Sequence, residues 1–224
     1  MSTFNYQAFF GTFTDFEKKF APKDLFIEGD ESLLYSGLKV SIVGSRKPSE
    51  QGIKDAECLT SVLVQNGITV VSGLAEGIDS VGHLTAINNH GKTIAVLGTP
   101  LDKAYPAKNA DLLKKIKENH LAVSQFQIGY PTKKENFPMR NRTMALISDA
   151  TIIVEASETS GTRHQGWEAL RLGRLVFIMK SVVDKNELTW PKEMLKYGAQ
   201  ELTCELLPEI LYDIPNVTAR LAYA

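Results

Sequence analysis

Short apolar runs alternate with amphipathic stretches through the middle of the chain. Val40–Val43, Ile68–Val71, Thr93–Leu97, Leu121–Ser124, Thr151–Val154 and Leu175–Met179 are rich in Val and Ile and show no polar alternation. Runs of this kind predict strands covered on both faces, as a parallel sheet requires. Between them apolar residues recur at helical spacing: Ile53, Ala56, Leu59 and Leu63, then Leu84 and Ile87, then Leu112, Leu113 and Ile116, then Trp167 and Leu170. Ser49, Asp79, Asn109 and Thr162 stand where helices should start. Strand and helix alternating in this way predict a doubly wound α/β domain with right-handed crossovers.

The ends follow other patterns. Phe4, Phe9, Phe10, Phe13, Phe16 and Phe20 have a spacing compatible with a helix that packs aromatic rings onto the domain. Leu25–Ile27 before Glu28, Gly29 and Asp30 reads as a short strand and turn. From Trp190 to Leu211 the pattern predicts one or two small helices and a strand near Glu201–Cys204.

Composition adds limits. The 224 residues are 43% hydrophobic and 23% charged, the balance of a soluble globular chain rather than a disordered or fibrous one. No apolar run reaches the ~20 residues that span a bilayer, and no secretory leader is recognisable, so a soluble cytoplasmic protein without a membrane partner is expected. Cys58 and Cys204 lie far apart with no CxxC and no Cys/His cluster. That spacing suggests neither a disulfide framework nor a metal site, and it fits a reducing compartment. The net charge of −1 is unevenly spread: residues 1–39 carry 4 basic against 6 acidic groups, residues 181–224 carry 4 against 7, and the middle holds 17 against 13. The centre is therefore mildly basic between acidic ends.

In an open parallel sheet ligands bind beyond the carboxyl ends of the strands. The residues there are Gly44, Ser45 and Arg46 after the first run, Ser72 and Gly73 after the second, Gly98 after the third, and Ser160, Gly161 and Thr162 after the fifth. Small and hydroxyl residues let backbone N–H groups approach a phosphate, so Gly44, Ser45, Ser72, Gly98, Ser160, Gly161 and Thr162 are candidate phosphate contacts. Established nucleotide and catalytic motifs are missing. No GxGxxG follows the first run, Ala86 occupies the glycine position that a Walker loop ending at Gly91-Lys92-Thr93 would need, and no GxSxG places a nucleophile. No cofactor and no catalytic residue is assigned.

Residues 131–142 are the sharpest local signal. Lys133, Lys134, Arg140 and Arg142 oppose Glu135, with Phe137 between the basic pairs. Basic grooves with a ring on which a base stacks bind single strands without sequence preference. A solvated loop with Phe137 folded inward gives the same pattern, and the residues alone leave both readings open.

Four ordered motifs carry a resemblance. Val43-Gly44-Ser45-Arg46, then Ser72 through Asp79, then Leu97-Gly98 with Tyr105-Pro106, then Phe137-Pro138 with Arg140-Asn141-Arg142 resemble the DNA-processing protein A (DprA, or Smf) family over roughly residues 25–212. The resemblance implies an extended Rossmann-like domain over 25–212, flanked by an N-terminal helical extension at 1–24 and a tail at 213–224. It implies a homodimer that binds single-stranded DNA and loads a RecA-type recombinase during transformation or related recombination, without catalytic turnover. Carried over by motif, the DNA pocket would hold Arg46, Gly73, Phe137, Arg140, Asn141 and Arg142. Pro100, which has no N–H to donate, and Thr162–Gly166 depart from the family pattern. A looser similarity of Ser160-Gly161-Thr162, with Glu155 or Glu168, to the loop of nucleotide phosphoribohydrolases keeps a nucleotide-binding module or nucleotide-cleaving enzyme as the alternative.

Overall fold

The computed structural model describes residues 2–4 and 14–217. Nine strands among them form a single sheet: β1 (Ser2–Phe4), β2 (Leu25–Gly29), β3 (Lys39–Gly44), β4 (Thr69–Ser72), β5 (Thr93–Leu97), β6 (Leu121–Ser124), β7 (Ala150–Glu155), β8 (Leu175–Met179) and β9 (Gln200–Leu202). Their order is β1-β2-β6-β5-β4-β3-β7-β8-β9. From β6 to β9 every pair is parallel, whereas β1 and β2 run antiparallel at one edge. This is the expected doubly wound, mostly parallel α/β sheet of Rossmann-like form. Every residue of β3, β4, β5 and β6 is buried, which accounts for the missing alternation in those runs.

Six α-helices among the described residues lie between β1 and β8: α1 (Asp15–Phe20), α2 (Glu50–Gln65), α3 (Ile78–Asn88), α4 (Ala110–Asn119), α5 (Asn136–Ile147) and α6 (Thr162–Arg171). Three short ones follow as α7 (Lys180–Val183), α8 (Trp190–Lys196) and α9 (Leu207–Ile210). One apolar cluster gathers Leu59, Leu63, Ile42, Ile152 and Trp190. A second gathers Leu97, Leu112, Leu113 and Ile116 beneath α4.

Of the expected helix starts, Ser49 caps with its side chain, its Oγ accepting from the Gly52 N–H at 3.0 Å. The other three serve differently. Asp79 lies inside the first turn of α3 and Thr162 is the first residue of α6. Asn109 precedes α4, but its Nδ2 donates across the fold to the Leu74 carbonyl at 2.9 Å.

Three expectations need correction. Phe4 belongs to a strand rather than a helix, because residues 2–4 pair with β2 and satisfy its free edge (Ser2↔Ile27, Phe4↔Leu25). Phe9, Phe10 and Phe13 lie outside the described residues, while Phe16 and Phe20 do share a helix and pack edge to face at 4.9 Å. Phe137 and Pro138 lie in the first turn of α5, not in a loop, since proline is tolerated in a first turn whose N–H groups have no helical acceptor. Finally, Cys58 and Cys204 form a disulfide, with Cα atoms 6.3 Å apart across 146 residues of sequence. The chain returns beside α2 after β9, and separation along the sequence carries no information about that return.

Candidate nucleic-acid interface

The strand order reverses at β3, which pairs with β4 on one side and β7 on the other. A crevice is expected at the carboxyl end of such a switch point. A cleft of about 520 Å³ opens there. Gly44, Ser45 and Arg46 form its floor and lip, Phe137, Arg140 and Asn141 of α5 one wall, and Ser160, Gly161 and Thr162 the other.

Backbone contacts fix this shape. The Ile78 N–H donates to the Ser45 carbonyl at 3.1 Å. Gly77 has φ +75°, and a Cβ there would stand 2.2 Å from that same carbonyl oxygen, so only glycine lets the loops after β3 and β4 meet. The Thr162 hydroxyl donates to the Gly44 carbonyl at 2.9 Å and ties the far wall to β3. Within the loop after β4, the Asp79 carboxylate accepts from the Gly73 and Ala75 N–H groups at 3.1 and 3.3 Å. Burial raises the Asp79 pKa above the ordinary carboxylate value, while the Arg140 charge and these N–H donors pull it back.

Arg140 is 6% exposed. Its Nη1 donates to the Gly73 carbonyl and to the Val96 carbonyl, the latter at 2.9 Å, and its Nε donates to Asn141 Oδ1 at 3.0 Å. Burial lowers the Arg140 pKa, Asp79 opposes that shift, and Arg46 adds to it. A Cβ on Gly73 would lie 1.8 Å from Arg140 Nη1, so glycine there makes room for the guanidinium. Arg46 is different: it is exposed and makes no salt bridge among the described residues. Its guanidinium carbon lies 6.0 Å from the centroid of the Phe137 ring. That ring is half-buried, rests on Gly98, where a Cβ would come within 2.7 Å, and meets Tyr105 at 5.1 Å between centroids.

The remaining expected residues are dispersed. Arg142 does not line the cleft but pairs with Glu168 at 3.0 Å and lies over the Phe20 ring at 4.8 Å. Lys133 and Lys134 are exposed on the segment leading into α5 and do not line the cleft. Ser72 is buried and its hydroxyl donates to the Ile42 carbonyl at 2.6 Å, so it secures β4 to β3. Gly98 lies beneath Phe137. On the far wall, the Ser160 Oγ already accepts from the Thr162 N–H at 3.2 Å, and the Arg163 and His164 N–H groups donate to Ser160 and Gly161 carbonyls.

Some contributors play parts that the sequence did not assign to them. Glu155, at the end of β7, accepts from the Ser49 hydroxyl and N–H and so occupies the start of α2. Gly52 leaves space for it, since a Cβ there would lie 2.6 Å from Glu155 Oε2. Lys47 joins the cleft lining, and Gln165, 1% exposed, stands behind it with neither amide atom paired. Tyr105 stands out in the sequence only as part of the Tyr105-Pro106 motif. No group of three or more His, Cys, Asp or Glu that could hold a metal occurs among the described residues.

Residues 9–211 match the family model described as DNA recombination-mediator protein A. The chain belongs to that family. Among DNA recombination-mediator relatives, the DNA processing protein DprA of Streptococcus pneumoniae is 42% identical over 165 residues, covering 73% of this chain and 58% of the relative. The DNA processing protein DprA of Bacillus subtilis is 33% identical over 181 residues, covering 81% and 61%. The chain thus spans less than two thirds of these relatives' length. A solved structure of DprA from Helicobacter pylori, described for its single-stranded DNA binding mode, superposes with a TM-score of 0.81 at 30% identity, covering 95% of both chains. The fold extends beyond the family: the molybdenum cofactor binding protein of Rippkaea orientalis has a TM-score of 0.59 at 18% identity, covering 80% of this chain and 98% of its own, a likeness of fold alone.

Proposed function

We propose that the chain binds single-stranded DNA across the cleft at the β3 switch point, as a DNA-processing and recombination mediator rather than an enzyme. The observation that carries this reading is Arg46: an exposed guanidinium without a carboxylate partner, set over the half-open face of Phe137, and with a charge that helps to lower the pKa of the neighbouring Arg140. A free cation beside an aromatic face provides a phosphate contact and a stacking platform together. Arg140 acts chiefly by holding the strand ends that shape the cleft, with Asn141 beside it and Gly73 giving it room. Lys133 and Lys134, exposed on the segment leading into α5, add positive charge outside the cleft, whereas the charge of Arg142 is met by Glu168. Gly44, Ser45, Gly161 and Thr162 offer small walls along which the backbone of the strand can run. The H. pylori DprA structure, named for single-stranded DNA binding, supports the same ligand here.

The family name supports a role in recombination, in which a homodimer of the 25–212 unit, with appendages at 1–24 and 213–224, delivers the strand to a RecA-type recombinase in the cytoplasm. No helix among the described residues is long and apolar enough to cross a membrane. A titration with labelled single-stranded DNA at rising salt tests the core of this reading. Affinity should fall with a slope of about −0.7 in log K against log salt for each phosphate contacted. Affinity that ignores salt, or no binding at all, overturns it. Release of free base from a nucleoside monophosphate would favour the enzyme instead.

A further inference from the structure

Beside the cleft, and sharing Arg46, Phe137 and Arg140 with it, lies a niche of about 150 Å³ closed by Tyr105, Pro106 and Glu76. Tyr105 is 47% exposed and its ring is tilted 48° to that of Phe137, so the two rings present one angled apolar wall. Rings beside a phosphate-binding arginine suit a nucleobase, because every base has a face that stacks.

Glu76 is the anomaly in this place. A carboxylate in a groove for a polyanion repels the ligand unless it meets a donor. Its Oε1 lies 3.0 Å from Lys108 Nζ, but Lys108 is exposed and Glu76 only half-buried, and a pair at such a wet site adds little stability. The fold therefore gains little from an acid at this position. A carboxylate can only accept hydrogen bonds. Guanine offers it two adjacent donors, the ring N1–H and the amino N2–H, which match its two oxygens. Adenine and cytosine offer one amino group. Thymine places its single ring N–H between two carbonyl oxygens, which a carboxylate repels.

We propose that the niche receives one base of the bound strand and that Glu76 makes it favour guanine. The inference rests on the single-stranded DNA reading and adds a base preference to it. Tyr105 and Phe137 carry the base by its face, Arg46 holds the adjoining phosphate, and Glu76 reads the edge.

Fluorescence anisotropy on the full chain tests this with three labelled oligonucleotides of equal length. One is all thymidine, one carries a single central guanine, and one carries hypoxanthine there, which lacks the 2-amino group. The guanine should tighten binding by about fivefold, the lower end of the range for a two-point edge contact. Hypoxanthine should recover only part of that gain. In Glu76→Gln the guanine-to-thymine ratio should fall to about one. That ratio is the readout, since removing a negative charge shifts affinity for all three strands together. Equal binding of all three by the unmodified chain overturns the inference while leaving DNA binding intact. A guanine preference that survives Glu76→Gln also overturns it. Failure of every strand to bind overturns the underlying function as well.

Discussion

Replacing Arg140 with alanine should cost stability before it costs binding. The side chain is 6% exposed and donates to the Gly73 and Val96 carbonyls, so its loss strands two acceptors at the ends of β4 and β5. It also removes the charge that opposes burial at Asp79, which is itself 5% exposed. Leaving a buried acceptor unpaired costs about 1–3 kcal/mol, so the two stranded carbonyls together cost roughly 2–6 kcal/mol. In a domain of this size each kcal/mol lowers Tm by about 2–4 °C, so Arg140→Ala should unfold roughly 4–24 °C earlier in a thermal scan. Acid should narrow the gap. The Asp79 pKa is already raised by burial, and without Arg140 it rises further. A carboxyl whose folded pKa lies above its unfolded value favours the folded state below the unfolded pKa, and that advantage disappears as pH rises through the folded pKa. The deficit of Arg140→Ala should therefore be largest near neutrality and shrink as pH falls and Asp79 takes up its proton. Asp79→Asn in the Arg140→Ala background should likewise recover part of the loss. An unchanged Tm together with lost DNA binding would refute this reasoning and make Arg140 a plain phosphate contact.

Other substitutions separate ligand contacts from framework. Arg46→Ala should reduce the salt slope by about 0.7 with Tm unchanged, because the residue is exposed and unbridged; a large fall in Tm in a thermal scan would count against it. Phe137→Ala should weaken single-strand binding at least fivefold, within the roughly 1–3 kcal/mol of one stacked base, while Phe137→Trp should retain it. If both variants instead melt with binding per folded molecule intact, the ring belongs to the core. His83 is buried against Thr93, with its pKa lowered to about 3, first by desolvation. The unfolded chain takes up that proton near the ordinary value of 6.5, so the stability His83 contributes is complete above 6.5 and drains away as pH falls towards 3. Denaturant titrations of His83→Gln should show a flatter acid limb than the parent; an equally steep limb would exclude His83 as a source.

The parallel sheet was legible because burial on both faces leaves a compositional signature, runs rich in Val and Ile without polar alternation such as Val40–Val43 and Ile152–Val154. The cleft was legible for a related reason: Gly44, Arg46 and Gly161 all follow strands, and strand ends converge at a switch point. The partners of the charges were not legible. Arg46, Arg140 and Arg142 look alike in sequence, yet one is exposed, one is folded onto carbonyls and one is paired with Glu168, 26 residues further along the chain. Ser72 and Gly98 were placed on the right edge but turned inward, which a pattern of residue types does not encode. The Cys58–Cys204 bond escaped for the same reason, since it depends on where the chain returns after β9.

Glu155 has a wider consequence. In doubly wound folds the opening turn of the helix that follows the central strand is the usual berth for a ligand's phosphate. Here the chain fills that berth with a carboxylate of its own, held by the Ser49 N–H and hydroxyl and admitted by the bare Cα of Gly52. A pyrophosphate arriving there would have to evict an internal anion that already satisfies those donors. On the proposed reading a polyanion is thereby kept from the depth of the fold and meets its rim, where Arg46 stands exposed. A compact dinucleotide gains little from such a rim, but a long strand can cross it one phosphate after another.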